Sequence, residues 1–401
     1  MGSGLLFEDQ SIDSLMSPIL WSAIAPFLNV VQGEATPTPP SSSTVLSSDS
    51  VNPRRDFKEE FVAHGFFHWD SSEETVDYFD VIDRLARGVD ALVDLGYPAS
   101  FIYAYDEAWA LVHRFTPLLK PSNGGSQFLG DIFAWKVDPN RPALQQGRSN
   151  QISGWGPHRD RMGSDQRSFR PLDGTPMLST SWLALTDALA TNSCLHFVPA
   201  ECDPGFRLGD VMGEDPLAAV FASNPLAYQQ IRSCPIARGS FLHFSHRTIH
   251  WGSSVAPSAS FHHSVGHPAQ TPRIAMSWVV GDPSFEASAF ACGSGEDPPI
   301  CFSLAERLSL VCAQQINYGG QTGLTKHRKN LFFRIFHKHQ KRFSEAYISK
   351  VHSLYYMTDS STDTTAPVVK LKPVYVPDSP QLLQQLAEEL EYLGDVGGMF
   401  E

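Results

Sequence analysis

Paired cysteines are missing from this chain of 401 residues. Its six cysteines stand at positions 194, 202, 234, 292, 301 and 312, and no two of them form a Cys-x-x-Cys pair. A structural zinc site and a disulfide scaffold are therefore not expected, whereas reduced thiols in an intracellular compartment are. We expect a cytoplasmic protein, with an organelle as the alternative.

Positive charge is scarce as well, because 30 Lys and Arg stand against 43 Asp and Glu, for a net charge of −13. General nucleic-acid binders carry an excess of positive charge, so nucleic acid is not an expected partner. The basic run KHRKNLFFRIFHKHQKR at 326–342 is predicted to be the solvated face of a helix, with its apolar side chains packed inward. A protein that interacts with a partner through this basic helix is the alternative.

Long unbroken apolar runs are also absent. The most apolar stretch near the start, LMSPILWSAIAPFLNVV at 15–31, is interrupted by Pro18 and Pro26 and follows an acidic segment. A secretory signal begins with basic residues and has an unbroken apolar core, and a membrane-spanning helix needs about 20 apolar residues. No membrane span is expected, and this stretch is predicted to be an amphipathic helix that packs on the main domain.

Glycine and proline are abundant, with 29 of each, which favours a loop-rich β architecture over a helical bundle. From about 127 to 286, short apolar and aromatic runs alternate with turn residues, as in a sandwich or barrel. The predicted fold is mainly β with flanking helices, and its core is a double-stranded β-helix, the jelly roll of cupin-like proteins. The expected parts are an N-terminal helical segment (1–33), a flexible Ser/Thr/Pro linker (34–56), a helical buttress (57–126), the β core (127–300) and a C-terminal helical region (301–401), whose last helix lies between Ser379 and Gly394.

A candidate metal site starts in the stretch WGPHRDR, where His158 and Asp160 stand two residues apart. Side chains two apart on an extended segment point to the same side, so both can reach one ion. A surface turn with a local hydrogen bond is the alternative. A non-haem Fe(II) centre needs a second imidazole, and GSFLHFSHRTIHWGSS offers His243, His246 and His250.

Further blocks of sequence carry a family resemblance. Between about 127 and 285 the chain resembles the phytanoyl-CoA dioxygenase-like family of Fe(II)/2-oxoglutarate oxygenases. The blocks that carry it are the His-x-Asp pair, a strand of the type Trp-x-Ala-Leu-x-Asp-Ala, an Asn-Gly-Cys-Leu turn with a later Pro, a Gly and a Phe before the distal His, and an Arg that starts a strand. The matching residues are His158, Asp160, Trp182, Ala184, Leu185, Asp187, Ala188, Asn192, Cys194, Leu195, Pro199, Gly239, Phe244, His250, Gly252, Ser253 and Arg273.

The resemblance implies that His158, Asp160 and His250 are the catalytic iron ligands. It further implies that Fe(II), 2-oxoglutarate and O2 are required, and that succinate and CO2 are released while a small organic substrate is oxidised, most simply by hydroxylation. Fatty acyl groups, amino acids and other natural products are substrates within the family. His246 falls too early for the family spacing, and His243 sits inside an apolar strand where a core role is the alternative.

Arg273 is the implied partner of the far carboxylate of 2-oxoglutarate, which its planar guanidinium would hold in two parallel hydrogen bonds. Three departures from the family pattern concern this part of the site. Ser193 replaces the usual Gly, the segment between His250 and Arg273 is long, and Ala275 stands where a hydroxyl partner is usual. The remaining candidates for 2-oxoglutarate binding are Ser277, Ser181, Thr180 and Lys136.

The long segment before Arg273 contains His262, His263 and His267, which are predicted to belong to an active-site rim, with a second metal cluster as the alternative. Arg159, between the two proximal ligands, is expected either behind the ligands or at the surface. The competing function for the whole chain is a non-catalytic jelly-roll protein that binds a metal or another ligand. The sequence predicts no particular oligomeric state.

Overall fold

The computed structural model describes residues 5–31, 57–72, 74–119, 127–138, 156–161, 166–210, 215–252, 271–282, 284–291, 302–319 and 324–357. The expected helix between Ser379 and Gly394, the whole Ser/Thr/Pro linker and the three histidines of the 253–270 segment lie outside these residues. None of the helices within the described ranges is long and apolar enough to span a bilayer.

Eight strands make up the β structure. They are β1 (Phe66–Trp69), β2 (Gln127–Val137), β3 (Leu178–Ala184), β4 (Leu195–Phe197), β5 (Arg232–Cys234), β6 (Phe241–Ser245), β7 (His250–Gly252) and β8 (Arg273–Gly281). The larger sheet has the order β1-β6-β3-β8-β2 and the smaller sheet has the order β5-β4-β7, with antiparallel pairing throughout.

Successive strands alternate between the two sheets in the manner of a double-stranded β-helix. After β3 in the larger sheet, the chain crosses to β4 and β5 in the smaller sheet, returns to β6, crosses again to β7 and returns to β8. The segment that carries His158 extends the smaller sheet through an antiparallel bridge to His250. The predicted jelly-roll core with flanking helices is therefore confirmed. Around it, helices account for more of the described residues than strands do.

Ten α-helices surround this core within the described residues. They are α1 (Ile12–Leu15), α2 (Pro18–Ile24), α3 (Phe57–His64), α4 (Val76–Asp94), α5 (Asp106–Phe115), α6 (Gly205–Leu208), α7 (Pro216–Ser223), α8 (Leu304–Asn317), α9 (Lys326–His339) and α10 (Glu345–Met357). The helix α4 is capped by Thr75, whose hydroxyl accepts a hydrogen bond from the backbone N–H of Tyr78.

The face of the larger sheet that points away from the smaller sheet is covered by helices. Ile274, Met276 and Trp278 on β8 belong to one continuous core with the apolar face of α4 and with α5 and α8. The N-terminal segment joins this core, since the wholly buried Trp21 stacks on Phe101 with ring centroids 5.4 Å apart. This layer fixes the position of the sheet and leaves its other face for the interior of the β-helix.

The strand β1 lies in a region where the sequence predicted only helices. Its four residues, FFHW, are aromatic and pair with β6 from Phe66 opposite Phe244 to Trp69 opposite Phe241. Aromatic residues fit a half-buried pleated surface well, but four residues are too few for the alternating pattern to stand out from a helical one. The strand β1 forms one edge of the larger sheet.

Candidate metal centre

The three predicted iron ligands meet at the β7 edge of the smaller sheet. His158, Asp160 and His250 each offer one ligand atom, and these atoms all lie within 4.8 Å of one another. The backbone brings them together, because His158 and His250 exchange two N–H to C=O hydrogen bonds of 3.1 and 2.9 Å. Among the described residues, this is the only group of three or more His, Cys, Asp or Glu side chains close enough to hold one ion.

The orientation of the two imidazoles is fixed by backbone carbonyls. Nδ1 of His158 lies 2.7 Å from the carbonyl oxygen of Gly156, and Nδ1 of His250 lies 3.1 Å from that of Thr248. A carbonyl oxygen can only accept, so each Nδ1 carries the proton and each Nε2 presents its lone pair. Both Nε2 atoms face Oδ1 of Asp160, at 3.6 Å from His158 and 3.8 Å from His250. Three acceptor atoms that converge in this way are suited to a cation between them.

The protonation states of these groups are those that a metal requires. Burial lowers the pKa of His250 to about 4, so its imidazole is neutral at neutral pH. Burial alone would raise the pKa of the Asp160 carboxyl, but His250, His158 and His246 around it hold that pKa well below its usual range. A neutral imidazole and an ionised carboxylate can bind an ion without first releasing a proton.

Thr180 and His246 lie beside Oδ2 of Asp160, the oxygen that does not face the two imidazoles. The Thr180 hydroxyl donates to Oδ2 of Asp160 over 3.1 Å, and Nε2 of His246 lies 2.9 Å from the same hydroxyl oxygen. The hydroxyl has one proton, so while it donates to Asp160 it accepts from His246. Thr180 was predicted as a 2-oxoglutarate contact, but the structure places it against the carboxylate of the triad. His246, the disfavoured ligand candidate, lies behind that carboxylate.

We expect Thr180→Val to lower the affinity for Fe(II) about tenfold, because partners of a metal-ligating carboxylate typically contribute 10–100-fold. Valine keeps the shape of threonine and removes the donor to Asp160. The affinity is measured anaerobically by competition with a chromophoric chelator. Thr175→Val is the matched control, since Thr175 is also buried and its backbone hydrogen bonds join it to Asp173 and Arg170 rather than to the triad. Equal affinities for the Thr180 variant and the wild type would contradict this role.

Arg273 is the buried cation of the β-helix interior. It is 3% exposed, its guanidinium lies 5.4 Å from the ring centre of Trp182, and its Nη1 donates to the carbonyl of Ser193. Its Nε has no hydrogen-bond partner, and no carboxylate of the described part of the chain forms an ion pair with it. Burial lowers the pKa of Arg273 to about 10, which still leaves it charged at neutral pH. A buried guanidinium of this kind fits an anionic ligand.

The position of Arg273 relative to the triad follows from β3. Thr180, beside Asp160, and Trp182, beneath Arg273, are two residues apart on that strand and share one face, which separates them by about 7 Å. Ser193 adopts a left-handed backbone with φ of 77° and thereby presents its carbonyl to Arg273. Asp160 and the Arg273 guanidinium therefore contact the same face of β3, one strand position of that face apart.

Two of the predicted 2-oxoglutarate contacts lie on the wrong face of the sheet. Lys136 forms an ion pair of 2.6 Å with Asp90 on α4, and the Ser181 hydroxyl lies 3.0 Å from Nδ1 of the buried His243. Both positions alternate with residues that face the interior, so both point toward the helices. The structure does not bring them to the site. Ser277 is buried on β8, four positions beyond Arg273 and on the same face.

Of the two positions expected for Arg159, the structure excludes the surface. It is 1% exposed, and its Nε lies 2.9 Å from both oxygens of Asp210, while its Nη2 donates to Asp203 over 2.8 Å. Nη1 of Arg159 also donates to the carbonyl of Arg247, and Nη1 of Arg247 donates to the carbonyl of Arg161 over 2.8 Å. This network ties the segment of the proximal ligands to the segment that leads into His250. No spacing in the sequence indicated Asp203 or Asp210.

His243 is a core residue, which was the alternative to its role as a metal ligand. It lies between Phe61 and Phe67, with both ring centroids 5.0 Å away, and outside the group of ligand atoms. Burial, with a smaller contribution from His246, lowers its pKa from the ordinary 6.5 to about 3. At neutral pH this side chain is therefore a neutral part of the core.

This burial predicts a pH dependence of stability. Between pH 6.5 and about 3 the unfolded chain binds a proton at His243 that the folded chain does not, so the free energy of unfolding falls as the pH is lowered through that range. His243→Met removes this contribution and gives a shallower dependence. Urea unfolding of metal-depleted protein at several pH values measures both slopes, and identical slopes would contradict the prediction.

Comparisons with known proteins give structural neighbours only. No protein-family model matches the chain. No curated protein matches it. Among solved structures it is similar to the non-haem α-ketoglutarate-dependent carbocyclase SnoK from nogalamycin biosynthesis, at 14% identity over 59% of this chain and 87% of SnoK, with a TM-score of 0.39. It is also similar to AviO1 from Streptomyces viridochromogenes Tue57, at 17% identity over 57% of this chain and 95% of AviO1, with a TM-score of 0.40.

A third neighbour is EctD from S. alaskensis, in a structure with bound Fe. It is 12% identical over 69% of this chain and 91% of EctD, with a TM-score of 0.38. The superpositions are partial and the identities are low. The function of this chain therefore has to follow from its own residues.

Proposed function

We propose that the chain is an Fe(II)/2-oxoglutarate-dependent dioxygenase that oxidises a small organic substrate. The observation that carries this proposal is the convergence of His158, Asp160 and His250, whose ligand atoms lie within 4.8 Å of one another. Both imidazoles present the unprotonated Nε2 to the carboxylate because their Nδ1 atoms face backbone carbonyls. Two imidazoles and one carboxylate on one face, with further positions open, are the donor set of non-haem Fe(II) oxygenases.

The donor set also separates iron from a structural zinc site. Structural zinc sites are closed by four protein ligands, commonly including thiolates. Here the described residues supply three ligands, and Asp160 remains partly exposed, with 22% of its side-chain surface accessible. An open side at the triad is what a co-substrate and O2 need.

Arg273 supports the choice of 2-oxoglutarate as the co-substrate. In the proposal, the triad holds the iron and Arg273 holds the far carboxylate of 2-oxoglutarate, since the guanidinium is buried and has no carboxylate partner among the described residues. Iron and 2-oxoglutarate supply the activation of O2, with release of succinate and CO2 as the substrate is oxidised. Hydroxylation is the simplest outcome.

The protein's own contribution is placement and exclusion of water. Phe244 packs against His250 with ring centroids 4.4 Å apart, and Phe197 lies on the same imidazole at 6.1 Å. These rings shield the distal ligand, while Thr180 orients the carboxylate from the other side. A dry, fixed ligand set is the part of such chemistry that a protein provides.

The finer assignment to the phytanoyl-CoA dioxygenase-like family rests on the sequence blocks around His158, Trp182, His250 and Arg273. A small molecule such as a fatty acyl group, an amino acid or another natural product is the proposed substrate class. The competing function, a non-catalytic metal- or ligand-binding jelly roll, uses the same residues without turnover.

Anaerobic addition of Fe(II) and then 2-oxoglutarate to the full chain tests the proposal. We expect a weak visible charge-transfer band, and succinate release once O2 is admitted, both lost in His158→Ala. His64→Ala is the matched control, because His64 pairs with Glu201 away from the triad. Iron binding without the band and without succinate would favour the non-catalytic alternative.

A further inference from the structure

A half-buried carboxylate that the triad does not use lies near the metal centre. Asp131 is on β2 at an irregularity where the register with β8 shifts between Phe128 and Ile132. One of its oxygens, Oδ1, accepts a hydrogen bond of 3.1 Å from the Tyr318 hydroxyl. Among the described residues, Tyr318 is its hydrogen-bond partner, and no Lys or Arg side chain lies within ion-pair distance of it.

The surroundings of Asp131 are aromatic. The ring of Tyr318, which follows α8, lies 5.0 Å from Phe133, and Phe133 lies 4.9 Å from Trp135. Trp135 packs on the apolar cluster inside the β-helix, which includes Trp182 and Ala275. Phe133 and Trp135 therefore share one face of β2 with Asp131, and the Tyr318 ring packs beside Phe133.

This group lies next to the triad. The Asp131 carboxylate interacts electrostatically with His246 and with Asp160, and His246 itself lies 3.8 Å from Oδ2 of Asp160. The irregular residues of β2 face the part of β8 that includes Val279, which pairs with Thr180 on β3. Asp131 and the hydroxyl that orients Asp160 thus stand two strands apart, about 10 Å, on one sheet.

We infer that Asp131, with Phe133 and Tyr318 beside it, binds a protonated amine of the substrate. This inference deepens the proposed function and rests on it for the reaction that follows binding. A carboxylate supplies the counter-ion, and aromatic faces attract a cation through their negative π surface. A neutral or anionic group would leave the Asp131 carboxylate in the interior without a counter-ion, which is costly.

The electrostatics of the group agree with a missing cation. Burial raises the pKa of Asp131, and the neighbouring Asp160 raises it further. Lys350 on α10 and His246 act in the opposite direction, and Lys350 lies beyond ion-pair distance. An ammonium at this position would offset the cost of burying the carboxylate.

The probe for this inference is benzylammonium, with benzyl alcohol as its neutral analogue of similar shape. Binding to the full-length, metal-depleted chain is measured by ligand-observed nuclear magnetic resonance. We expect benzylammonium to bind to the wild type. Asp131→Asn should weaken this binding at least about tenfold, because the substitution removes the negative charge that pairs with the ammonium. Benzyl alcohol should bind at least about tenfold more weakly than benzylammonium to the wild type.

Three further variants make the test specific. Asp160→Asn should weaken benzylammonium binding much less than Asp131→Asn does, because it removes a nearby anion but not the proposed counter-ion. This comparison excludes an ammonium held at the triad and does not depend on iron chemistry. Asp90→Asn, which removes the carboxylate that pairs with Lys136 on the other face of the same sheet, should bind like the wild type. Lys350→Met should bind more tightly, because it removes a nearby cation.

Thermal unfolding of each variant shows whether it is folded. Unchanged binding in a folded Asp131→Asn variant, or equal binding of the alcohol and the ammonium, would overturn the inference. Loss of binding only in Asp160→Asn would overturn it as well, since the ammonium would then be at the triad. None of these results depends on succinate release, so the inference and the proposed function can fail separately.

Discussion

Asp160→Asn is expected to lower the affinity for Fe(II) by about 100-fold or more and to abolish succinate release. Side chains that hydrogen-bond to a metal ligand already contribute 10–100-fold to metal affinity, so loss of the charged ligand itself should exceed that range. Asparagine keeps the size of the side chain and still accepts from the Thr180 hydroxyl, but it removes the negative charge at which both imidazole Nε2 atoms converge. An anaerobic competition titration measures the affinity.

Asp80→Asn is the control for this substitution, because Asp80 is an exposed partner of Arg84 within one helix and exposed pairs contribute little. Thermal unfolding of both variants checks that the fold is retained. If the Asp160 variant bound Fe(II) as tightly as the control, the carboxylate would not be a ligand, and the proposed function would lose its main support.

Arg273→Met is expected to raise the KM for 2-oxoglutarate by about 100-fold while the affinity for Fe(II) stays unchanged. Removal of one partner of a buried, hydrogen-bonded charge pair costs about 2–5 kcal/mol, which corresponds to roughly 30-fold to several thousand-fold. Methionine keeps an apolar stem over Trp182 and removes only the charged end. Initial rates of succinate formation at several concentrations of 2-oxoglutarate give the KM.

Arg273→Lys separates charge from geometry. Lysine keeps the charge but cannot make two parallel hydrogen bonds to a carboxylate, so it should recover only part of the loss. The surface variant Arg238→Met should leave the KM unchanged, since Arg238 pairs with the exposed Asp83. A similar KM for Arg273→Met and the wild type would show that another cation holds the co-substrate.

The parts of the site that follow from local spacing were predictable from the sequence. His158 and Asp160 are two residues apart on an extended segment, and this period alone puts both side chains on one side. His250 comes at the start of a short strand that a preceding apolar run and a following Trp-Gly make visible. The strand signals around 127–286 likewise indicated the double-stranded β-helix.

What the sequence did not predict depends on faces and on distant partners. Lys136 seemed available for an anion because its strand was recognised, but which face of β2 it occupies depends on the register with β8. The sequence left open whether Arg159 is buried, because its partners, Asp203 and Asp210, lie more than 40 residues further along the chain. Ion pairs between residues so far apart produce no periodic pattern in the sequence.

The network of buried arginines beside the triad bears on whether the ligand geometry persists when no metal is bound. Arg159 and Arg247 connect the two ligand-bearing segments through backbone carbonyls, and neither guanidinium contacts a ligand atom of the triad. The geometry of the centre is therefore assembled by folding and not by the ion, unlike small zinc domains that fold only when the metal binds. Under the proposed function, chelation should therefore remove Fe(II) while the fold stays intact, and the same protein should bind Fe(II) again when it is added back.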